Sequence, residues 1–260
     1  MKHPEKVSRH IINWINTYLE NSKMNGLVVG VSGGVDSALT STLCAETGKN
    51  LICIEMPINQ GNDQVSRSKK HVEWLKSKYP NVSSILINLD NTYNMFVDSV
   101  PKNGSDKHDL SLANTRSRLR MVTLYYFSAL NNFIVAGTGN KVEDFGIGFY
   151  TKYGDGGVDI SPIADLLKSE VFSLAKYHNI IDEIIMASPT DGLWNDNRSD
   201  EEQIGATYNE LEKAMLDESK SESNLSKREK EVMNIYKSFN SSNRHKMLPI
   251  PVCKIPKDYI

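Results

Sequence analysis

Residues 30–37 read Gly30-Val31-Ser32-Gly33-Gly34-Val35-Asp36-Ser37, a run whose residue types suit a bound polyanion. Gly33 and Gly34 lack Cβ, so the backbone can turn sharply there and bring its N–H groups against phosphate oxygens. Ser32 and Ser37 add hydroxyl donors. Asp36 is the odd member: a carboxylate among phosphates is repelled unless a divalent cation lies between them, so the loop points to Mg²⁺. The spacing is neither that of a Walker A loop, which ends in Gly-Lys-Ser/Thr, nor that of a G-x-G-x-x-G turn.

Three further runs carry candidate chemistry. Gly137-Thr138-Gly139-Asn140-Lys141-Val142-Glu143-Asp144 offers a second acid to complete a cation site with Asp36. Thr151-Lys152-Tyr153-Gly154-Asp155-Gly156-Gly157-Val158-Asp159 reads as a hairpin as readily as a ligand loop. Ser161-Pro162-Ile163-Ala164-Asp165-Leu166-Leu167-Lys168 leads into a helical pattern through Leu167, Val171 and Leu174. Lys168 there is either a solvated first-turn residue or a cation for phosphates.

Positioning these groups requires strands that end in loops. Leu27-Val28-Val29-Gly30-Val31 reads as a buried parallel strand, and Ala38 to Ala45 continues at helical spacing. Further strands are expected over 51–56, 84–88 and 133–136, with helices over 63–79 and 111–130 between them. This alternation predicts an α/β fold, a doubly wound parallel sheet flanked by helices, with ligands beyond the carboxyl ends of the strands. Residues 30–37 and 137–143 both follow strands, so they are expected to meet at one edge. No Pro/Gly/Ser-rich linker divides the chain, so residues 1–260 are expected to form one domain. Residues 217–230, crowded with Ser, Glu and Lys, read as a mobile surface segment or exposed helix end. Val232, Ile235, Tyr236 and Phe239 restore a helical stripe, and residues 191–200 are a candidate lid.

With 260 residues and a formal charge of −2, the chain has no global attraction for nucleic acid. No apolar stretch approaches the ~20 residues that span a bilayer. The N-terminal pattern of Val7, Ile11, Ile15, Tyr18 and Leu19 is amphipathic rather than a signal peptide, so cytoplasmic residence is expected. Cys44, Cys53 and Cys253 are isolated, which suggests neither a disulfide framework nor a zinc site.

The Ser-Gly-Gly-x-Asp-Ser order of the first loop resembles that of the N-type ATP pyrophosphatases, which cleave ATP between the α and β phosphates. Asn114, Arg118, Arg120-Met121, Gly137-Thr138, the 151–159 run, Asp165 to Lys168, Pro189-Thr190, Ser199-Asp200-Glu201 and His245-Lys246 follow in order. Together they make nearly the whole chain similar to the ammonia-dependent NAD synthetases. That resemblance implies an adenine nucleotide alpha-hydrolase-like, Rossmann-like three-layer fold. It implies that Gly30, Val31, Ser32, Gly33, Gly34, Val35, Asp36 and Ser37 hold ATP, with Thr138, Thr190 and Lys168. Asp36 and Glu143 would hold Mg²⁺, and Arg118, Lys152, Asp159, His245 and Lys246 would contact deamido-NAD. One residue more than the commonest bacterial spacing separates Glu143 from Thr151; the order Gly-Thr-Gly-Asn-Lys-x-Glu favours Glu143 over Asp144 for the metal.

The reaction so implied amidates a carboxylate. The nicotinate carboxylate attacks the α-phosphorus, pyrophosphate leaves, and ammonia displaces AMP from the acyl adenylate. Charge on the departing pyrophosphate is what the loop, the cation and Lys168 would stabilise. Asp36 and Lys168 are the catalytic candidates, with Asp155 as the carboxylate that binds and deprotonates ammonium. The chain begins with the helix before the glycine loop, so free ammonia is the expected donor, with a separate glutaminase as a possible source. The resemblance also implies a homodimer, in which Tyr125, Tyr126 and Phe127 could supply apolar contact. The rivals are another ATP pyrophosphatase, such as a GMP synthetase core or a tRNA-thiolating enzyme, and a non-catalytic nucleotide-binding sensor. Thiolation asks for paired cysteines and a basic surface, absent here, and a GMP synthetase does not explain residues 151–159. A sensor need not retain Asp36, Glu143 and Lys168.

Overall fold

The computed structural model describes residues 1–102, 104–190, 193, 199–217 and 225–259, without the side chains of 62–64. The helix α1 (Pro4–Ser22) leads into β1 (Gly26–Gly30), α2 (Val35–Glu46), β2 (Asn50–Glu55), α3 (Asn62–Lys78) and β3 (Val82–Leu86). Then come α4 (Asp90–Ser99), α5 (Asp106–Asn131) and β4 (Ile134–Val135), followed by a π-helical turn (Val142–Ile147). The remaining helices are α6 (Lys168–Tyr177), α7 (Asp182–Ile185), α8 (Asp200–Ile204), α9 (Tyr208–Asp217) and α10 (Lys227–Met247).

The strands pair in parallel in the order β3-β2-β1-β4. Chain order reverses beside β1, and the crevice between β1 and β4 is the switch point where ligands bind in such sheets. The period-2 alternation of strand side chains divides the core. Leu27, Val29, Leu51 and Cys53 join Ile15, Leu19, Leu39 and Leu43 of α1 and α2 on one face, with α3 and α6. Val28, Ile52 and Ile54 face Tyr93 of α4 and half-buried Leu124 and Phe127 of α5 on the other. Burying each large aliphatic chain contributes roughly 1.5–3 kcal/mol, so the three layers are held chiefly by this sorting. A separate apolar cluster joins α9, α10 and the π turn through Val142, Ile147, Leu211 and Tyr236.

The expected parallel sheet is present, with local differences. β3 runs from Val82 to Leu86, two residues earlier than the strand expected over 84–88, because its backbone pairs with β2 from Val82 onward while Ser83 and Ser84 are tolerated at an edge. α5 starts at Asp106 rather than near residue 111. Residues 151–159 form consecutive turns, not a hairpin; the chain then meets β4 through a parallel Ala136–Ile160 bridge. Ser226 caps α10, accepting from the Glu229 N–H, so the end of the polar 217–230 stretch is helical, while 218–224 lie outside the described residues. The candidate lid likewise falls mostly outside them, apart from 193, 199 and 200.

Candidate active site

The glycine loop leaves β1 and enters α2 with Gly34 as its N-cap. Gly33 has φ 84°, the left-handed region that a side chain disfavours. The serines brace the turn. Ser37 Oγ donates to the Gly34 carbonyl at 3.0 Å and accepts from Ser32 N–H at 3.2 Å. The first α2 helix bond is Ala38 N–H to the Gly34 carbonyl, so the preceding N–H groups are free of helix bonding and point where an anion gains from the helix dipole.

Asp36, in the first turn of α2, faces the loop after β4. Asn140 Nδ2 donates to Asp36 Oδ1 at 3.0 Å, while Asn140 Oδ1 accepts from the N–H groups of Val142 and Glu143 at 3.1 and 3.2 Å. One fully buried amide therefore joins the two loops and fixes the start of the π turn. Lys168, at the start of α6, closes the arrangement: its Nζ lies 2.6 Å from Asp36 Oδ2 and 3.0 Å from Glu143 Oε1. Its first turn is held from α9, where Glu212 accepts from Ser169 N–H and Oγ–H at 2.7 Å each. The two expected edges of the site thus meet on one ammonium.

Electrostatics follow from this geometry. Burial pushes the Asp36 carboxyl above its ordinary range, against the pull of Lys168 and with Glu143 adding to the rise. Burial works the same way on Glu143, but Lys168, Tyr208 and Asn140 together hold it below the usual value. Burial opposes the charge of Lys168, yet the two carboxylates outweigh it and raise its pKa. Two acids converging on one cation fit a hard divalent ion that also takes phosphate oxygens. No group of three or more His, Cys, Asp or Glu stands ready to hold a metal among the described residues, so ligand oxygens would have to complete the shell.

These groups line a cavity of about 250 Å³ that takes in all of residues 30–37, Met56, Arg67, Leu124, Asp155 and Thr190. Its Gly30, Val31, Met56 and Leu124 wall is apolar, as a purine requires. Arg67, on α3, approaches the Gly33 carbonyl through Nε at 3.4 Å and adds a cation at the loop. Asp155 is held by Ser117 Oγ–H at 2.6 Å and Thr151 N–H at 3.0 Å, and burial raises its pKa. Asp144 does not line the cavity; its carboxyl crowds Gly139, where a Cβ would stand 2.2 Å away. Burial, then Glu143, Asp155 and Asp36, push Asp144 up to about 8.

The other candidates lie apart. Thr138 follows β4 at the same edge without lining the cavity. Arg118, Lys152, His245 and Lys246 meet on a seam between α5, the 150s turns and α10. Arg118 donates to the Lys152 carbonyl at 3.3 Å, Lys152 Nζ to the His245 carbonyl at 2.8 Å, and Lys246 Nζ to the Gly148 and Tyr150 carbonyls at 2.9 and 2.8 Å. Asp159 sits beside β4, accepting from Tyr125 O–H at 3.0 Å and Val135 N–H at 2.7 Å. Sequence reasoning quoted Asn140 and Asp200 within their runs without giving them a role, and it missed Tyr208, Glu212 and Arg67. Asn140 carried a signal, a polar side chain at the mouth of a strand, whereas Tyr208 reads as ordinary core.

The NAD synthase family model matches residues 7–249. An NH(3)-dependent NAD(+) synthetase from Carboxydothermus hydrogenoformans is 38% identical over 82% of this chain and 85% of its own. An NMN synthetase from Francisella tularensis superposes with a TM-score of 0.82 at 29% identity, covering 98% of both chains. An NH3-dependent NAD synthetase from Campylobacter jejuni, solved with nitrate, gives 0.78 at 26% identity over 96% of this chain and 99% of that one.

Proposed function

The chain belongs to the NAD synthase family, and from that premise we propose that the β1/β4 crevice is where it amidates deamido-NAD with ammonia. It is a ligase that forms a C–N bond and uses ATP as co-substrate. The observation that carries the siting is the convergence of the glycine loop, Asp36, Glu143 and Lys168 on one cavity at the switch point. Rival readings as a GMP synthetase core or a sensor gain nothing from the relatives.

In this reading, residues 30–37 bind the ATP phosphates through backbone N–H groups, and Lys168 and Arg67 supply positive charge as pyrophosphate departs. Thr138 and Thr190 are assigned to the nucleotide. Mg²⁺ held by Asp36 and Glu143 would screen the phosphate oxygens. The nicotinate carboxylate displaces pyrophosphate from the α-phosphorus, and Asp155 takes a proton from ammonium so that ammonia can attack the acyl adenylate. Arg118, Lys152, Asp159, His245 and Lys246 are assigned to deamido-NAD, whose diphosphate suits cationic donors. For the seam residues this means exchanging backbone carbonyls for ligand oxygens.

The chain acts as one domain, 1–260, in the cytoplasm, as a homodimer with free ammonia as donor or a separate glutaminase as its source. Exposed Val122, Tyr126 and Leu130 on one face of α5 support that dimer. Phe127, by contrast, packs against the core. Among the described residues, no helix is long and apolar enough to cross a membrane.

One observation favours a second acceptor. The Francisella protein, matched along 98% of both chains, is named an NMN synthetase, and nicotinate mononucleotide carries the same reacting carboxylate. The test incubates purified protein with ATP, Mg²⁺ and ammonium plus deamido-NAD, nicotinate mononucleotide or xanthosine monophosphate, and resolves products by chromatography. NAD and AMP in equal amounts are expected from the first arm, with Asp36→Asn at background. Turnover of xanthosine monophosphate with deamido-NAD untouched overturns the acceptor, and turnover of the mononucleotide alone moves it to the second reading. Wild-type release no greater than that of Asp36→Asn supports the sensor.

A further inference from the structure

The aromatic ring of Tyr208, at the start of α9, touches both halves of the acid–lysine core. Its hydroxyl donates to Glu143 Oε1 at 2.5 Å, Asp200 Oδ2 stands 3.2 Å away, and Lys168 Nζ lies 4.6 Å from the ring centroid. The side chain is buried, so this contact does not compete with solvent. One turn further along α9, Glu212 grips the first turn of α6 beside Lys168. A single helix therefore holds both Glu143 and the segment that presents Lys168.

The donor's chemistry matters. Tyr208 and Lys168 both engage Oε1 of Glu143. Lys168 is shared with Asp36, and as a cation it competes with any metal that enters between the acids. A phenol is neutral. It can keep Glu143 oriented without repelling a divalent ion, and its ring gives the displaced ammonium an electron-rich face.

We propose that Tyr208 is a positioning residue that sets Glu143 for cation-dependent ATP binding; this rests on the reading of Asp36 and Glu143 as the Mg²⁺ pair. Calorimetric titration of ATP into the full chain, with and without Mg²⁺, tests it independently of turnover. Tyr208→Phe keeps the ring and is expected to weaken Mg²⁺-ATP binding about tenfold, the usual effect of losing a partner behind a metal ligand. Metal-free ATP affinity should stay within about twofold, since the phenol acts only through the metal ligand. Tyr208→Leu should lose at least as much. In a Glu143→Gln background, adding Tyr208→Phe should change affinity less than about twofold, because the phenol acts through that carboxylate.

Wild-type affinity for Mg²⁺-ATP in either folded variant overturns the proposal. So does an equal loss in the Glu143→Gln background, which would mark Tyr208 as packing alone. Wild-type protein that binds Mg²⁺-ATP yet leaves deamido-NAD untouched would remove the proposed acceptor, while the same binding comparison would still decide the role of Tyr208.

Discussion

Replacing Lys168 by Met removes one charge while keeping most of the side chain's length and packing. The ammonium stands 2.6 and 3.0 Å from two carboxylate oxygens and is almost wholly buried. At an effective dielectric constant of about 20, each contact is worth on the order of 5–6 kcal/mol of gross attraction. Desolvation of the three charges offsets much of this, and removing one member of a buried set typically leaves a net loss of about 3–5 kcal/mol. For a chain of this size that corresponds to a fall in Tm of roughly 10 °C. The decisive reading is a thermal melt of wild type and variant with and without Mg²⁺. Without the ammonium, the acids repel one another and favour a divalent ion more strongly, so Mg²⁺ should raise the variant's Tm more than the wild type's. Turnover should fall about 10²–10³-fold, as when a transition-state donor is lost. KM for deamido-NAD should change little. A variant melting at the wild-type temperature, or equal Mg²⁺ increments in both proteins, refutes the ion triad as the organising feature of the site.

Two other perturbations probe the loop and the buried α3 histidine. Gly33→Ala forces a side chain into φ 84°, at roughly 1–2 kcal/mol of strain, and re-aims the loop's N–H groups. Calorimetry should show ATP binding weakened about tenfold, and unchanged affinity would mean that the loop tolerates another turn. His71 is fully buried with Nε2 2.9 Å from Ser41 Oγ, and burial lowers its pKa to about 4. As pH falls from about 6.5 toward 4, the unfolded chain takes up a proton that the native ring refuses, so about 3 kcal/mol of stability present above that window is lost within it. His71→Phe should lose less stability than wild type over the same range in urea titrations; an identical acid slope in both removes His71 as its source.

What was legible depended on whether a feature is local. Apolar runs such as Leu27 to Val31 and Leu51 to Met56 are bounded by turns, and their strands formed nearly where expected. α4 was missed because Tyr93 is its one buried side chain, while Met95 and Phe96 remain exposed, leaving no apolar stripe to see. Residues 30–37 announced themselves because a tight turn demands glycine regardless of the rest of the fold. Tyr208 did not, since its partner Glu143 is 65 positions away and only the packing of α9 on α6 and the π turn brings them together. Glu212 was hidden for the same reason: an acid in a helix looks solvated until another helix's N-terminus is placed against it.

The stretch from Glu143 to Thr151 decides which acid faces the site. In a regular α-helix successive residues are turned by about 100°, so neighbouring Glu143 and Asp144 point in different directions. Here the stretch is wound as a single π turn over Val142–Ile147, a wider winding than the α-helix. Asn140 anchors the near end by accepting the Val142 and Glu143 N–H groups, so Glu143 keeps its contact with Lys168. The far end is anchored independently: Thr151 donates through its hydroxyl to Asn114 at 2.6 Å and through its N–H to Asp155 at 3.0 Å. With both ends fixed, Asp144 is the acid turned away, onto Gly139 and out of the cavity, while Glu143 lines it. The Asn140 cap sets this choice from the near end, because it fixes the N–H groups of Val142 and Glu143 before the turn begins.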